Sequence, residues 1–196
     1  MAKPRLVEPG GIYHVSSRGT NREQIFFDDE SRSCFLDQLA RVVDRAGWTV
    51  YVYCLMTNHF HLVLQMPGDS LSRGMQILNG GYARKTNARL GRVRHLFQNR
   101  FSSTMIKRDS HLRESCRYVV LNPVRAGMCG RPEDWRWSSY RASVGLAPAP
   151  AFLSVDSLLG LFGRSPSQAQ AAFGAFIDDA LLLHWSDQGD EAVTGW

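Results

Sequence analysis

Trp48-Thr49-Val50-Tyr51-Val52-Tyr53-Cys54-Leu55-Met56-Thr57-Asn58-His59-Phe60-His61-Leu62-Val63-Leu64-Gln65-Met66 holds two strands and a turn. From Trp48 to Leu55 the residues are β-branched or aromatic on both faces, the pattern of an interior strand. Thr57-Asn58 turns the chain, and a second strand runs from His59 to Met66. Alternation puts Phe60, Leu62, Leu64 and Met66 on one face, the core face, and His59, His61, Val63 and Gln65 on the other. The two strands are expected to pair as a hairpin.

Outward from this hairpin, Gly10-Gly11 introduces a short strand, Ile12 to Ser17, which ends in the turn-rich loop Arg18-Gly19-Thr20-Asn21-Arg22. Asp28-Asp29-Glu30-Ser31 is a helix start; Phe35, Leu36, Leu39, Val42, Val43 and Ala46 recur at helical spacing, and Gly47 closes the segment. Downstream, Pro67-Gly68-Asp69-Ser70 opens a second helix to about Leu90. Gly91 to Arg100 is a basic connection into a strand near Phe101 to Ile106, and Asp109-Ser110 caps a third helix. That helix is predicted to end near Leu121, because Pro123 disfavours helical geometry at Asn122. The order is the β-α-β-β-α-β of a ferredoxin-like sheet, class α+β, with an additional helix after it. Beyond Gly130 the chain is acidic and richer in Pro, Ala and Gly; Leu146 to Pro150 resembles a linker, and helical stretches follow at Val155 to Phe162 and Ser167 to Leu183. This reads as an accessory helical extension, residues 144–196, on a first region of residues 1–143.

With 196 residues, 44% of them apolar, the chain can bury a core of its own. Cys34, Cys54, Cys116 and Cys129 lie far apart, which suggests neither a zinc ribbon nor a disulfide framework and fits a reducing cytoplasm. The best apolar run is too short to span a bilayer, so no membrane is expected. The net charge of +5 is unevenly spread: residues 1–83 carry 0, residues 84–125 carry +9 and residues 126–196 carry −4. The basic side chains of the middle third include Arg84, Lys85, Arg89, Arg92, Arg94, Arg100, Lys107, Arg117 and Arg125, scattered over structured segments rather than gathered in one tag. A phosphate-binding surface is the simplest reading, a solvated helix face the plainer one.

Two imidazoles on one strand face converge, and a neutral imidazole nitrogen is a good donor to divalent metals. Alone, such a pair is more often structural or merely exposed. A second constellation, Arg117-Tyr118-Val119-Val120-Leu121-Asn122-Pro123-Val124-Arg125, places a phenol and an amide four residues apart on one helical face. The amide oxygen suits a hard ion such as Mg²⁺ or Mn²⁺, and the phenol is a candidate nucleophile toward phosphorus. Of the other tyrosines, Tyr13, Tyr51 and Tyr53 lie in strands where packing explains them. Tyr82 and Tyr140 are the competitors, and neither has an amide side chain four residues later.

Four separated motifs occur in order: Asn58-His59-Phe60-His61-Leu62-Val63-Leu64, His95-Leu96-Phe97-Gln98-Asn99-Arg100-Phe101, Arg117 to Gly127, and Trp135-Arg136-Trp137-Ser138-Ser139-Tyr140. Together they resemble the REP-associated tyrosine transposases, relatives of the single-tyrosine insertion-sequence transposases with a histidine-hydrophobic-histidine element. The resemblance covers about residues 5–143. It implies a ferredoxin-like catalytic domain, a divalent ion (Mg²⁺ or Mn²⁺), single-stranded or hairpin DNA from REP-like palindromic elements as substrate, and a covalent 5′-phosphotyrosine intermediate. On this resemblance His59, His61 and Asn122 match metal ligands and Tyr118 matches the nucleophile, in a monomer or homodimer. Arg18, Asn21 and Arg22 are the candidates for base contacts, or else an ordinary exposed turn; His95 and Gln98 read equally as DNA contacts or loop residues. The rival reading is a non-catalytic DNA-binding protein on the same fold. A metal hydrolase using water is disfavoured, because no Asp or Glu cluster accompanies the histidine pair.

Overall fold

A computed structural model describes residues 8–191. The outer ends of the two regions expected from the sequence, 1–7 and 192–196, lie outside the described residues. In chain order the elements are β1 (Ile12–Arg18), α1 (Asp29–Ala46), β2 (Thr49–Leu55), β3 (His59–Gln65), α2 (Leu71–Arg89), β4 (Ser102–Ile106), α3 (Asp109–Arg125), α4 (Tyr140–Ser143), α5 (Val155–Leu159) and α6 (Pro166–Glu191). The four strands form one antiparallel sheet in the order β2-β3-β1-β4, the split β-α-β arrangement expected from the sequence.

Local chemistry explains the first half. The Asp28 side chain accepts from the Ser31 N–H at the start of α1 while Ser31 returns a bond to the Asp28 backbone, and Gly47 at φ 64° closes the helix. Phe60, Leu62 and Leu64 of β3 are fully buried against α1 and α2, where the Phe35 and Phe60 rings lie 4.6 Å apart. At Gly74 of α2 a Cβ would sit 2.1 Å from the Trp48 ring, so that helix approaches the sheet only without a side chain there.

The opposite face carries a second core. Val52, Cys54 and Val63 meet Leu112, Cys116, Val119 and Val120 of α3, and α6 adds Phe173 and Ile177. The extension thus shares its core with the sheet instead of hanging from a linker.

Two further expectations are corrected. β2 is an edge strand, not an interior one. Its free edge is covered: the Leu55 N–H donates to the Trp137 carbonyl, Tyr53 and Ser139 exchange bonds, and the Ser154 N–H donates to the Val50 carbonyl. Backbone from two later segments fills the edge and buries both faces, which is why the composition mimics an interior strand. α3 runs through Pro123 to Arg125 rather than stopping at Leu121. A proline there forfeits one backbone donor near the helix end, and the buried contacts of Val120, Leu121 and Val124 outweigh that loss. Gly127, at φ 64°, then turns the chain.

Candidate active site

The site is built where β3, β1 and α3 meet. Antiparallel register sets Arg18 opposite His59, Ser16 opposite His61 and His14 opposite Val63, so all six side chains share the face that α3 covers. His59 Nδ1 lies 2.7 Å from Asn58 Oδ1, and His61 Nδ1 lies 2.9 Å from His14 Nε2. The His59 and His61 rings are 5.0 Å apart. From α3, the Tyr118 ring comes edge-on to within 5.8 Å of both His61 and His14, and Tyr118 remains 42% exposed.

Burial lowers both imidazoles. His59 falls to about 4 through burial and the Arg18 charge, and His61 to about 3 through burial and the neighbouring His14, His59 and Arg18. Both are therefore neutral near pH 7, each with one ring nitrogen bearing a lone pair. Nδ1 of each is engaged in a hydrogen bond within the protein. Asn122, one turn beyond Tyr118, gives its Nδ2 to the Tyr118 carbonyl at 2.9 Å and keeps Oδ1 as an acceptor. Among the described residues no cluster of three or more His, Cys, Asp or Glu side chains is arranged to hold a metal. Two neutral imidazoles on one strand face are a donor set that fits a divalent ion chemically, and the Asn122 amide oxygen, one helical turn from Tyr118, is of a type that could complete it.

Two cavities are lined by these residues. One, of about 330 Å³, is lined by Ser16, Arg18, His59, His61, Gln98 and Arg100 among others. The second, of about 450 Å³, is lined by His14, His111, Glu114, Ser115, Tyr118 and Arg125. The competing phenols are removed from both: Tyr82 is buried with its hydroxyl donating to the Ile25 carbonyl at 2.5 Å, Tyr140 is buried, and burial pushes each up to about 12.

The basic residues expected to face DNA divide sharply. Arg18 and Arg100 line the histidine cavity, and the Arg125 guanidinium lies 5.3 Å over the Tyr118 ring. Arg84, Lys85 and Lys107 are exposed. By contrast, Arg89 is held by Asp28 at 2.8 Å and Glu30 at 2.9 Å, and Arg92 and Arg94 both pair with Glu23. Arg117 pairs with Glu114 at 2.5 Å and stacks 4.4 Å over Phe176 of α6. Each of these four guanidiniums is ion-paired at the surface, with one carboxylate, Glu23, shared by Arg92 and Arg94. Asn21 and Arg22 are exposed in left-handed backbone, φ 52° and 59°, and the loop is pinned by the Asn58 Nδ2 bond to the Arg22 carbonyl at 2.8 Å. Thr20 ties the same loop to the backbone carbonyls of His95 and Leu96.

Sequence reasoning passed over His14, His111 and the contacts of Asn58. A signal existed for His14, since alternation along Ile12 to Ser17 sets it opposite to Tyr13 and Val15. Its partner on β3 could not be read without the register.

The sequence profile of IS200-like transposases matches residues 10–122. A protein of Haemophilus influenzae described as a REP-associated tyrosine transposase is 24% identical over 149 residues, covering 69% of this chain and 82% of that protein. A solved structure of a REP-associated tyrosine transposase bound to a REP hairpin is similar in fold, with a TM-score of 0.63 and 19% identity over 79% of this chain and 94% of that one. The profile match runs from β1 through both histidines to Asn122 and spans more than half of the sequence, so the chain belongs to the IS200-like transposase family.

Proposed function

We propose that this transposase cleaves and rejoins single-stranded DNA beside hairpins of REP-like palindromic elements, with Tyr118 as nucleophile and His59, His61 and Asn122 as ligands of Mg²⁺ or Mn²⁺. The observation that carries the reading is the approach of the exposed Tyr118 ring to the His61 ring at 5.8 Å. It joins a candidate nucleophile to a candidate metal site across two elements distant in sequence. The hairpin-bound REP-associated transposase of similar fold supports the choice of substrate.

In the reaction, Tyr118 Oη attacks the scissile phosphorus, the bond from phosphorus to the 3′-oxygen breaks, and the phenol proton is balanced by the one the released 3′-hydroxyl gains. The DNA is then joined through its 5′-phosphate to Tyr118. Attack by another 3′-hydroxyl reverses the step, joins the new strand and restores the phenol without ATP. A bound divalent ion would withdraw charge from the phosphate and the departing oxygen. Arg18 and Arg100, beside the histidines, hold the strand through its phosphates, and Arg125 braces the Tyr118 ring by a cation–π contact. Arg22 and Asn21 supply base contacts from the pinned loop.

The test is incubation with labelled hairpin DNA and Mn²⁺, denaturing electrophoresis and peptide mapping. A covalent adduct on the Tyr118 peptide, carried through a 5′-phosphate, is the expected result. DNA binding with no adduct would instead favour the non-catalytic reading.

A further inference from the structure

We propose that His14 and Asn58 are positioning residues, each fixing one imidazole with its proton on Nδ1 so that Nε2 of His61 and of His59 remains the donor atom. The inference rests on the metal-site reading above and adds residues that reading does not contain. A neutral imidazole has one N–H and one lone pair, and the hydrogen bond at one nitrogen decides what the other can do.

For His59 the direction of the bond follows from the amide. Asn58 Nδ2 donates to the Arg22 carbonyl at 2.8 Å, which only a nitrogen can do, so the atom facing His59 Nδ1 at 2.7 Å is the carbonyl oxygen. An oxygen accepts; the His59 proton therefore sits on Nδ1. For His61, Nδ1 is 2.9 Å from His14 Nε2, and donation from Nδ1 is the arrangement that leaves His61 Nε2 unprotonated. β1 holds His14 one pleat away, since Ser16 is opposite His61 and His14 opposite Val63. The same His14 ring lies 5.8 Å from Tyr118, so one side chain from β1 touches both the candidate ligand and the candidate nucleophile. Asn58 similarly links His59 to the backbone of the Arg18 to Arg22 loop. Partners of this kind to metal-bound histidines typically carry 10- to 100-fold in metal affinity.

The test has two readouts on metal-free and Mn²⁺-titrated full-length protein. Long-range ¹H–¹⁵N spectra of the wild type should show His59 and His61 both protonated at Nδ1; an Nε2-protonated His61 overturns the role of His14 whatever the variants do. His14→Ala should blur the His61 tautomer and weaken Mn²⁺ binding by about 10- to 100-fold, leaving metal-free hairpin binding unchanged. His14→Gln offers an amide oxygen to the same proton and should recover most of the affinity, which a merely structural role would not produce. Asn58→Asp keeps the acceptor for His59 and should preserve its tautomer, whereas Asn58→Ala should not. Wild-type Mn²⁺ affinity in His14→Ala together with lost affinity in His61→Ala overturns this inference alone. Equal Mn²⁺ binding by wild type and His61→Ala overturns the metal site itself.

Discussion

The two faces of β3 put different demands on alternate residues of one strand. Phe60, Leu62 and Leu64 point into a dry core closed by α1 and α2, with no exposure at all. On the other side the face is polar at His59 and His61, where the strand begins, and apolar at Val63 beneath α3. The first face supplies burial. The second holds imidazoles that burial keeps neutral, at a cost in stability that the first face offsets. Because the period is two, a slip of one residue would exchange the faces and lose the fold and the site together. Mutations on the two faces should therefore fail in opposite ways.

The largest contrast is expected between Tyr118→Phe and Phe60→Ala. Tyr118→Phe removes one oxygen while keeping the ring that Arg125 and His14 contact, so stability should shift by no more than ~1 kcal/mol while adduct and cleavage disappear. Tyr82→Phe and Tyr140→Phe should keep the adduct. His59→Ala and His61→Ala should likewise abolish Mn²⁺-dependent cleavage in a folded protein that still binds DNA. Phe60→Ala empties a core position and should cost ~3–5 kcal/mol in denaturant unfolding. A stable Phe60→Ala alongside unfolded histidine variants would invert the assignment of faces.

How far this contrast was visible in the sequence differs by element. The hairpin, the order of strands and helices and the caps of α1 were legible, because periodicity and turn residues act locally. The edge position of β2 was hidden, since Trp137, Ser139 and Ser154 cover it from more than 80 residues downstream and give it an interior composition. His14 was missed for the same reason: its bond to His61 joins residues 47 apart, and only strand pairing brings them together. Charge was the least legible property. Counting found the basic segment but not that Glu23 pairs with both Arg92 and Arg94 from 69 and 71 residues away, offsetting one of their two charges.

A smaller effect should appear as a dependence of stability on pH in metal-free protein. His59 and His61 are lowered to about 4 and about 3 from an ordinary 6.5, so as pH falls the unfolded chain takes up protons first. Stability should thus be level above ~6.5 and decline toward pH 3, with a slope of at most about 1.4 kcal/mol per pH unit for each buried imidazole. The half-exposed His59 contributes less than His61. Denaturant melts between pH 7.5 and 5 should show the slope, and His61→Ala should reduce it, leaving the share of His59 and of His14, which burial also lowers. Asp28, held near 2 by Arg89, does not titrate in that window. An unchanged slope in His61→Ala would mean that the buried imidazole is not the group responsible.

The smallest expected effect separates arginines that face the histidine cavity from those already paired. If Arg100 neutralises one phosphate of a single strand, Arg100→Ala should reduce the slope of log K against log salt by ~0.7 and weaken binding of matched and scrambled hairpins alike. Arg18→Ala should behave similarly, being in the same cavity. Arg89 has no such charge to give, because Asp28 and Glu30 hold it. Arg89→Ala should therefore leave the salt slope nearly unchanged, and its cost should fall on thermal stability through the lost tie between α2 and the start of α1. Arg22→Ala should act in a third way, leaving the slope within one phosphate of wild type but changing the preference between matched and scrambled hairpins. Titrations of the four variants at several salt concentrations decide the matter. A full unit lost in Arg89→Ala and none in Arg100→Ala would mean that DNA displaces the internal ion pairs and that the strand runs over α2 rather than past the histidines.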